Sequence, residues 1–516
     1  MTAEDEQHWS ELYRAALLGT DRHPPAPDPA RPGQDPATAL LEQAALAAVR
    51  RRAGLLPLPA PPHTDPPPAA DPRPPLPPAA ARRLELLLAG RTGGAELPPN
   101  LAELLPQWLA AARDRGYRPP PALLPALLSA GRARTELRGD LAALAGPLGR
   151  WLAERNPDWR YLLRSAGLEQ PAGEESVWQQ GLFAERVTHL TRLRRRDPAA
   201  ALALLRSTWA GERAEDRLLF LDALQERLGP ADEPFLEAAL DDRSKNVRAT
   251  AAELLSALPG SALGARMAVR ALAAVRLSQG RDRLLVDPPT AGTAELQRDG
   301  VAPSSPTGRG ERAWRLGEIV AAAPLAGWTA AFGLTPAQLL ALPVSAADGG
   351  AGPWREELQE AWARAAVRQR DAGWARVLLG PPPRDGRPVH GAGAPAKLLA
   401  VLPAAERAGW TAAFLRGHGL GDAFQLLGAC AVPWTPPLST AVVAALGRAA
   451  ASGAYPWSHS GVLGLTERSL SPATAPAVAA LAADASPDSA WGETFDRLAR
   501  TLRFRAAMLA ELEPGG

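Results

Sequence analysis

The sequence offers few residues whose type and spacing point to catalysis. Its seven histidines are scattered, and no two are spaced as ligands on one helix face, so a histidine metal site would need long-range assembly. The segment Gly391–Lys397, GAGAPAK, has the lysine of a phosphate-binding loop but lacks the preceding glycine and the following hydroxyl residue. Cys430 lies in the apolar string LLGACAV and is interpreted as a buried, inert thiol. We therefore predict no catalytic residue, no cofactor and no metal.

One charged segment, from residue 279 to residue 312, is instead the candidate contact with a partner. It is rich in Gly, Pro and Ser, and it is longer than most loops inside compact chains. Its apolar cluster, Leu284–Val286, predicts a short hairpin. The side chains predicted to contact a partner are Arg283, Asp287, Arg298, Asp299, Arg309 and Arg312. The alternative is that the segment only straps two helical layers together.

The elements that would position such a segment are helices. Asp35-Pro36 and Asp197-Pro198 each combine a helix N-cap with proline at the first helical position. The tract 174–196 has one apolar face and predicts a single long helix. From Pro57 to Pro78, 12 of 22 residues are proline, which predicts an extended connector. We predict an all-α chain, an α-solenoid of HEAT-like helical hairpins with Pro-rich connectors and at most one short β-hairpin.

The stretch Leu240–Gly260 has the spacing of the second helix of a HEAT repeat. Its motif residues are Asp242, Val247, Arg248, Ala251 and Leu255. Asp242 is predicted to accept hydrogen bonds from the N–H groups that begin the helix. The apolar members share one face at helical spacing, and Arg248 is predicted to pair with an acid of a neighbouring unit.

The predicted organisation has five parts. They are N-terminal helices (1–56), a Pro-rich connector (57–78), a HEAT-like array (79–278), a long loop (279–312) and a C-terminal helical repeat region (313–516). The last part contains AGWTAAF twice, at Ala326–Phe332 and Ala408–Phe414. This separation fits two helical-hairpin units of about 40 residues each.

Charge and composition favour no particular class of ligand. Basic and acidic residues number 57 and 55 and are interleaved, so no strong one-sign field is expected. Lysine occurs only at Lys245 and Lys397, and isoleucine only at Ile319, which is typical of a GC-rich bacterial genome. The arginines are therefore no nucleic-acid signature. No apolar run of about 18 residues predicts a membrane span, and the acidic N-terminus does not resemble a signal peptide, so we expect a cytoplasmic protein.

Several segments together resemble one uncharacterised bacterial family. They are WSELYRAALLGTDR, RRAG, WLAERNPDW, FLEAALDDRSKNVRATAAELLSALPGSALGARM and the later VDPP, QRDGVAP and GERAW. This is the domain-of-unknown-function family numbered five-six-nine-one, and the resemblance covers nearly the whole chain. It implies no activity, cofactor or catalytic residue. It does imply a genomic context, since its genes often neighbour those of a SWIM zinc-finger protein, a MoxR-type AAA ATPase and a von Willebrand A-domain protein.

The function expected from these observations is a non-enzymatic scaffold or adaptor that binds another protein. Stacked helix pairs form long concave surfaces suited to this task. The resemblance implies an AAA ATPase, a von Willebrand A-domain protein or a SWIM zinc-finger protein as the partner. Two alternatives stay open: a HEAT-like protein that binds nucleic acid through a row of basic side chains, and an enzyme whose site is assembled from distant residues.

Overall fold

The computed structural model describes most of the chain. The described residues are 3–27, 31–54, 68–90, 101–165, 174–305, 308–349, 352–383, 395–486 and 489–513. Residues 55–67, which include half of the predicted Pro-rich connector, and residues 391–394 of GAGAPAK lie outside them. Contacts divide the chain into two compact units, Met1–Ala69 and Ala70–Gly516.

The first unit contains two helices, α1 (Ala3–Leu18) and α2 (Pro36–Gly54), which pack on each other. The carboxylate of Asp35 accepts the N–H of Thr38 at 3.0 Å, so the predicted cap of α2 is present. Leu12 is among the few side chains that the pair buries.

The second unit begins with a block of short helices around their own apolar core. These are α3 (Pro78–Ala89), α4 (Leu105–Asp114), α5 (Leu124–Ala133), α6 (Arg138–Leu144), α7 (Gly146–Arg155) and α8 (Tyr161–Ser165). Proline at the first or second position of several of them starts each helix without losing a hydrogen bond.

Seven helices follow, before the first strand. They are α9 (Glu174–Gln180), α10 (Phe183–Arg196), α11 (Pro198–Thr208), α12 (Ala214–Ala223), α13 (Glu233–Ala239), α14 (Lys245–Ser256) and α15 (Ala262–Ala274). The single helix predicted for 174–196 is wrong, because Leu182 is extended and the carboxylate of Glu185 accepts its N–H at 2.9 Å, which starts a new helix. Asp197 caps α11 as predicted, accepting the N–H of Ala200.

A small sheet interrupts the helices at the predicted hairpin. Strand β1 (Val275–Leu277) pairs antiparallel with β2 (Leu284–Val286), and β2 pairs parallel with β3 (Val344–Ala346). The sequence predicted at most a hairpin here; the third strand comes from some 60 residues further along the chain, where three residues are too few to give a pattern. Between β2 and β3 lie α16 (Ala294–Arg298), α17 (Glu311–Ala322), α18 (Leu325–Phe332) and α19 (Pro336–Ala341).

The remaining helices complete the unit. They are α20 (Trp354–Arg368), α21 (Ala372–Leu379), α22 (Pro395–Val401), α23 (Ala404–Leu415), α24 (Phe424–Gly428), α25 (Pro436–Ala451), α26 (Ser460–Ser469), α27 (Ala475–Asp484) and α28 (Ala490–Ala510). The regular secondary structure of the described residues is thus almost entirely helical, as predicted. The two AGWTAAF copies fall in α18 and α23, each after a proline that precedes the helix.

The last helix, α28, joins the two apolar cores of this unit. Its first turns, with Phe495 and Leu498, belong to the large core of the later helices. Its end, with Phe504 and Met508, packs into the core of the α3–α8 block. Arg505 lies between them, 1 % exposed, and donates to the carbonyl of Leu470 at 2.6 Å. The C-terminal helix therefore holds the first block of the unit against its last helices.

Candidate functional site

The segment predicted to contact a partner is tied to its own chain by charged side chains. Arg298 forms a two-pronged ion pair with Asp241, in the turn after α13, at 2.6 and 3.0 Å. Arg309 donates two hydrogen bonds to Glu360 on α20, at 2.7 and 2.9 Å. These pairs anchor the segment at two distant points, which is the behaviour expected of a strap.

Three other side chains of the segment are less firmly held. Arg312 approaches Asp287 only at 3.9 Å, and Arg283 lies 3.3 Å from its neighbour Asp282. All of them are about half exposed. Contact with a partner stays a prediction for Arg283, Asp287 and Arg312.

Asp299 is buried and does not lie at the surface as predicted. Its side chain is 2 % exposed, and its carboxylate accepts from Arg266 at 2.8 Å and from Arg270 at 2.5 Å, both on α15. Burial alone raises the pKa of Asp299, but hydrogen bonds from the two guanidinium groups outweigh it and hold the pKa below its usual value. A carboxylate enclosed in this way cannot touch a partner, so its assignment as a surface contact is wrong.

The HEAT-like motif places its apolar residues on one buried face of α14. Val247, Ala251 and Leu255 are each 0 % exposed and belong to the large core. They recur at every fourth residue, which keeps them on the same side of the helix. The opposite side of α14 is thereby left free to line an open surface.

The two charged residues of the motif behave differently from each other. One carboxylate oxygen of Asp242 accepts the N–H of Ser244, just before α14, and the other pairs with Arg217 of α12 at 2.9 Å. Arg248 donates to the carbonyl groups of Asp242 and Arg243, at 2.7 and 3.1 Å. The predicted ion pair of Arg248 with an acid of a neighbouring unit is therefore wrong; the side chain folds back onto the turn that precedes its own helix.

An open groove, with a cavity volume of about 1190 Å³, lies between the end of α12 and helices α14, α20 and α22. Helix α17 contacts both α14 and α20. The lining residues are Asp222, Gln225, Glu226, Arg227, Leu228, Thr250, Glu253, Leu254, Ala257, Leu258, Glu360, Ala363, Arg364, Val367, Arg368, Gln369, Arg370, Lys397 and Leu398. None of them was singled out as a site residue from the sequence.

The two sides of this groove differ in charge. The side formed by α12, the turn after it and α14, here called the acidic wall, has a net charge of −2 from Asp222, Glu226, Glu253 and Arg227. The side formed by α20, the turn after it and α22, here called the basic wall, has a net charge of +3 from Glu360, Arg364, Arg368, Arg370 and Lys397. The groove is therefore polarised across its width.

Several of these charges have no ion-pair partner among the described residues. Arg370 and Lys397 are exposed and form no ion pair with any described residue. Asp222 is exposed and accepts only from a glutamine amide within the described parts of the chain. Arg368 reaches Glu253 only at 3.8 Å, across the groove. Both walls thus present charge that a ligand can neutralise.

Two of the groove arginines have a left-handed backbone conformation. Among the described residues, Arg227, Arg281 and Arg370 are the non-glycine residues with positive φ, and the first and last of these line the groove. Arg370, at φ 53°, follows the end of α20, where Asp371 N–H bonds to Ala366 carbonyl in the manner of a Schellman cap. Glycine is favoured at that position, and a side chain there costs about 1 kcal/mol. The basic wall thus has an arginine at a position where the backbone conformation favours glycine.

The base of the basic wall is rigidly attached to the helices beneath it. Arg368 donates to the carbonyl of Ala321 at 3.0 Å, and burial lowers its pKa, with the nearby Arg364 acting in the same direction. An arginine remains protonated at neutral pH despite such a shift. Gln369 donates to Ala323 at 2.9 Å and accepts from Leu325 N–H at 3.0 Å. The end of α20 is therefore tied to α17 and α18 by side-chain hydrogen bonds.

The described residues show no group of three or more His, Cys, Asp or Glu side chains that could hold a metal ion. None of their helices is long and apolar enough to cross a membrane. Cys430 is buried, as interpreted from the sequence, and burial raises the pKa of its thiol.

Fold and groove together define an all-α protein with a charged groove between helices. The chain belongs to a family of unknown function, DUF5691, whose model matches residues 11–512. The resemblance seen in the sequence is thereby confirmed. No curated protein and no solved structure matches the chain.

Proposed function

We propose that this protein is a non-enzymatic helical-repeat scaffold that binds another protein in the groove between α14 and α20. The observation that carries the proposal is a large open groove whose rigid helices present unneutralised charges of both signs. Its volume of about 1190 Å³ exceeds the range of roughly 300–1,000 Å³ typical of small-molecule pockets. A segment of another polypeptide fits both its size and its mixture of charges.

The genomic context implied by the family indicates which partners to test first. They are a MoxR-type AAA ATPase, a von Willebrand A-domain protein and a SWIM zinc-finger protein, all in the cytoplasm. Nucleic acid is a poorer fit, because the acidic wall would repel a phosphate backbone lying along the groove.

Affinity purification from the native cell tests this proposal by comparing a variant whose groove is obstructed with a variant altered outside the groove. Thr250, half-buried on α14, lines the groove, so Thr250→Trp projects an indole into it. Val269 on α15 is 72 % exposed and does not line the groove, so Val269→Trp is the matched control. We expect the control to retain the wild-type partner and Thr250→Trp to lose it while its circular dichroism spectrum is unchanged. Retention of the partner by Thr250→Trp would contradict the proposal.

A further inference from the structure

We infer that the groove receives one α-helix of its partner, oriented by charge. Acidic residues of that helix face the basic wall, and its basic residues face the acidic wall. This inference deepens the proposed function and rests on it.

The charges of the two walls complement such a helix. Arg370 and Lys397, which form no ion pair within the described residues, lie on one wall. Asp222, whose carboxylate accepts from a glutamine amide but pairs with no described cation, lies on the other. A ligand of a single sign would gain contacts at one wall and meet repulsion at the other. A segment with one acidic and one basic side can pair with both walls at once. It does so only when it is rotated about its long axis so that each side faces the wall of opposite charge.

The groove also has the size of a helical segment. An α-helix with its side chains is about 10–12 Å wide and rises about 5.4 Å per turn, so each turn occupies roughly 400–600 Å³. The cavity volume of about 1190 Å³ therefore accommodates two to three turns. Helices α14 and α20 both contact α17, so a bound helix would add another member to a set of helices that already pack together.

The backbone at Arg370 is strained at the edge of the groove. Its positive φ places a cation beyond the last turn of α20, at a position where glycine would relieve the strain. Strained positions held in this way are concentrated at binding sites. The geometry thus marks Arg370 as a residue that contributes to binding at some expense to the stability of its own helix end.

Fluorescence anisotropy with designed peptides tests the inference on the full chain. The first probe is a labelled alanine-based helix with Glu on one face and Lys on the opposite face. The second has the same composition with both charges distributed around the helix. The third carries Glu only, and the fourth is oligothymidylate. We expect the two-faced helix to bind at least about tenfold more tightly than each of the other three, with the difference shrinking at high salt.

Wall-specific variants then identify the contacts. Arg370→Glu with Lys397→Glu makes both walls acidic, and we expect the affinity for the two-faced helix to fall at least about tenfold. Asp222→Lys with Glu253→Lys makes both walls basic, and we expect a similar loss together with tighter binding of the Glu-only peptide. The four changes combined restore opposite signs, −1 on the α20 side and +2 on the α14 side, so the two-faced helix should bind again in the reversed setting.

The outcomes separate this inference from the proposed function. Equal binding of the two isomeric peptides, tighter binding of oligothymidylate, or failure of the combined variant to regain affinity would each overturn the charge-oriented helix. If the native partner is lost with Thr250→Trp but kept by both wall variants, the groove still binds protein and only the inference falls. If Thr250→Trp keeps the partner, the proposed function itself falls.

Discussion

Removing the Asp299 carboxylate should destabilise the second unit far more than removing its exposed neighbour in the same network. Asp299→Ala deletes hydrogen bonds at 3.2 and 2.8 Å from Arg266 and one at 2.5 Å from Arg270, and leaves both guanidinium groups without this acid. Breaking a buried pair by removing one partner costs about 3–5 kcal/mol. Since the arginine side chains are 33 % and 22 % exposed, water relieves part of that penalty, and we expect a loss of about 2–4 kcal/mol.

Asp241→Ala is the matched control. Asp241 pairs with Arg298 through two hydrogen bonds, but its side chain is 64 % exposed. Exposed pairs contribute about 1 kcal/mol or less. Urea unfolding followed by circular dichroism compares the two variants, and equal shifts of the midpoint would refute the account of Asp299 as a buried anchor.

The pH dependence adds an independent check on the same residue. The pKa of Asp299 is lower in the folded chain than in the unfolded chain. Its contribution is therefore fully present above the unfolded pKa and is lost as pH falls through the folded pKa. The stability difference between the wild type and Asp299→Ala should shrink as the pH is lowered, and an unchanged difference would contradict the assignment.

Three further predictions concern other parts of the second unit. Val247→Asp buries an unpaired charge at a position that is 0 % exposed and should lower the free energy of unfolding by about 3 kcal/mol or more. The substitution Asn246→Asp, at an exposed position, should lower it by less than about 0.5 kcal/mol. Equal melting temperatures of the two variants would mean that the face of α14 is misassigned. Burial raises the pKa of Tyr161 from 10.0 to about 12, so the unfolded chain loses the phenol proton at a lower pH than the folded chain does. The free energy of unfolding should therefore fall by roughly 2–3 kcal/mol between pH 10 and 12. Urea titrations of Tyr161→Phe should not show this loss. Arg370→Gly relieves the positive φ and should raise stability by up to about 1 kcal/mol while weakening partner binding; lowered stability would show that the arginine is not strained.

The features that could be predicted from the sequence are those that depend on residues close together along the chain, such as helix caps and buried helix faces. The caps at Asp35 and Asp197 were found because a cap acts within three residues of its own position. The buried face of α14, including Val247, followed from helical spacing alone. The extra break near Leu182 was missed because an apolar face continues across it, and only the capping contact of Glu185 reveals two helices.

The groove and the burial of Asp299 could not be predicted in this way, because both depend on distant pairings. The partners of Asp299 are Arg266 and Arg270, about 30 residues earlier, and no local pattern links them. The basic wall combines Arg370, in the turn after α20, with Lys397 of α22, and both lie opposite acids more than 100 residues away in sequence. Each of these residues alone resembles an ordinary solvated charge.

Site-specific photo-cross-linking in the native cell tests the central claim most directly. A benzophenone side chain replaces Lys397 in the groove or, as the control, Val269, which is 72 % exposed outside it. The account predicts one dominant protein product from position 397, joined through a helical segment with acidic residues on the linked side, and no such product from position 269. Identical products at both positions, or a product containing nucleic acid in place of protein, would contradict it.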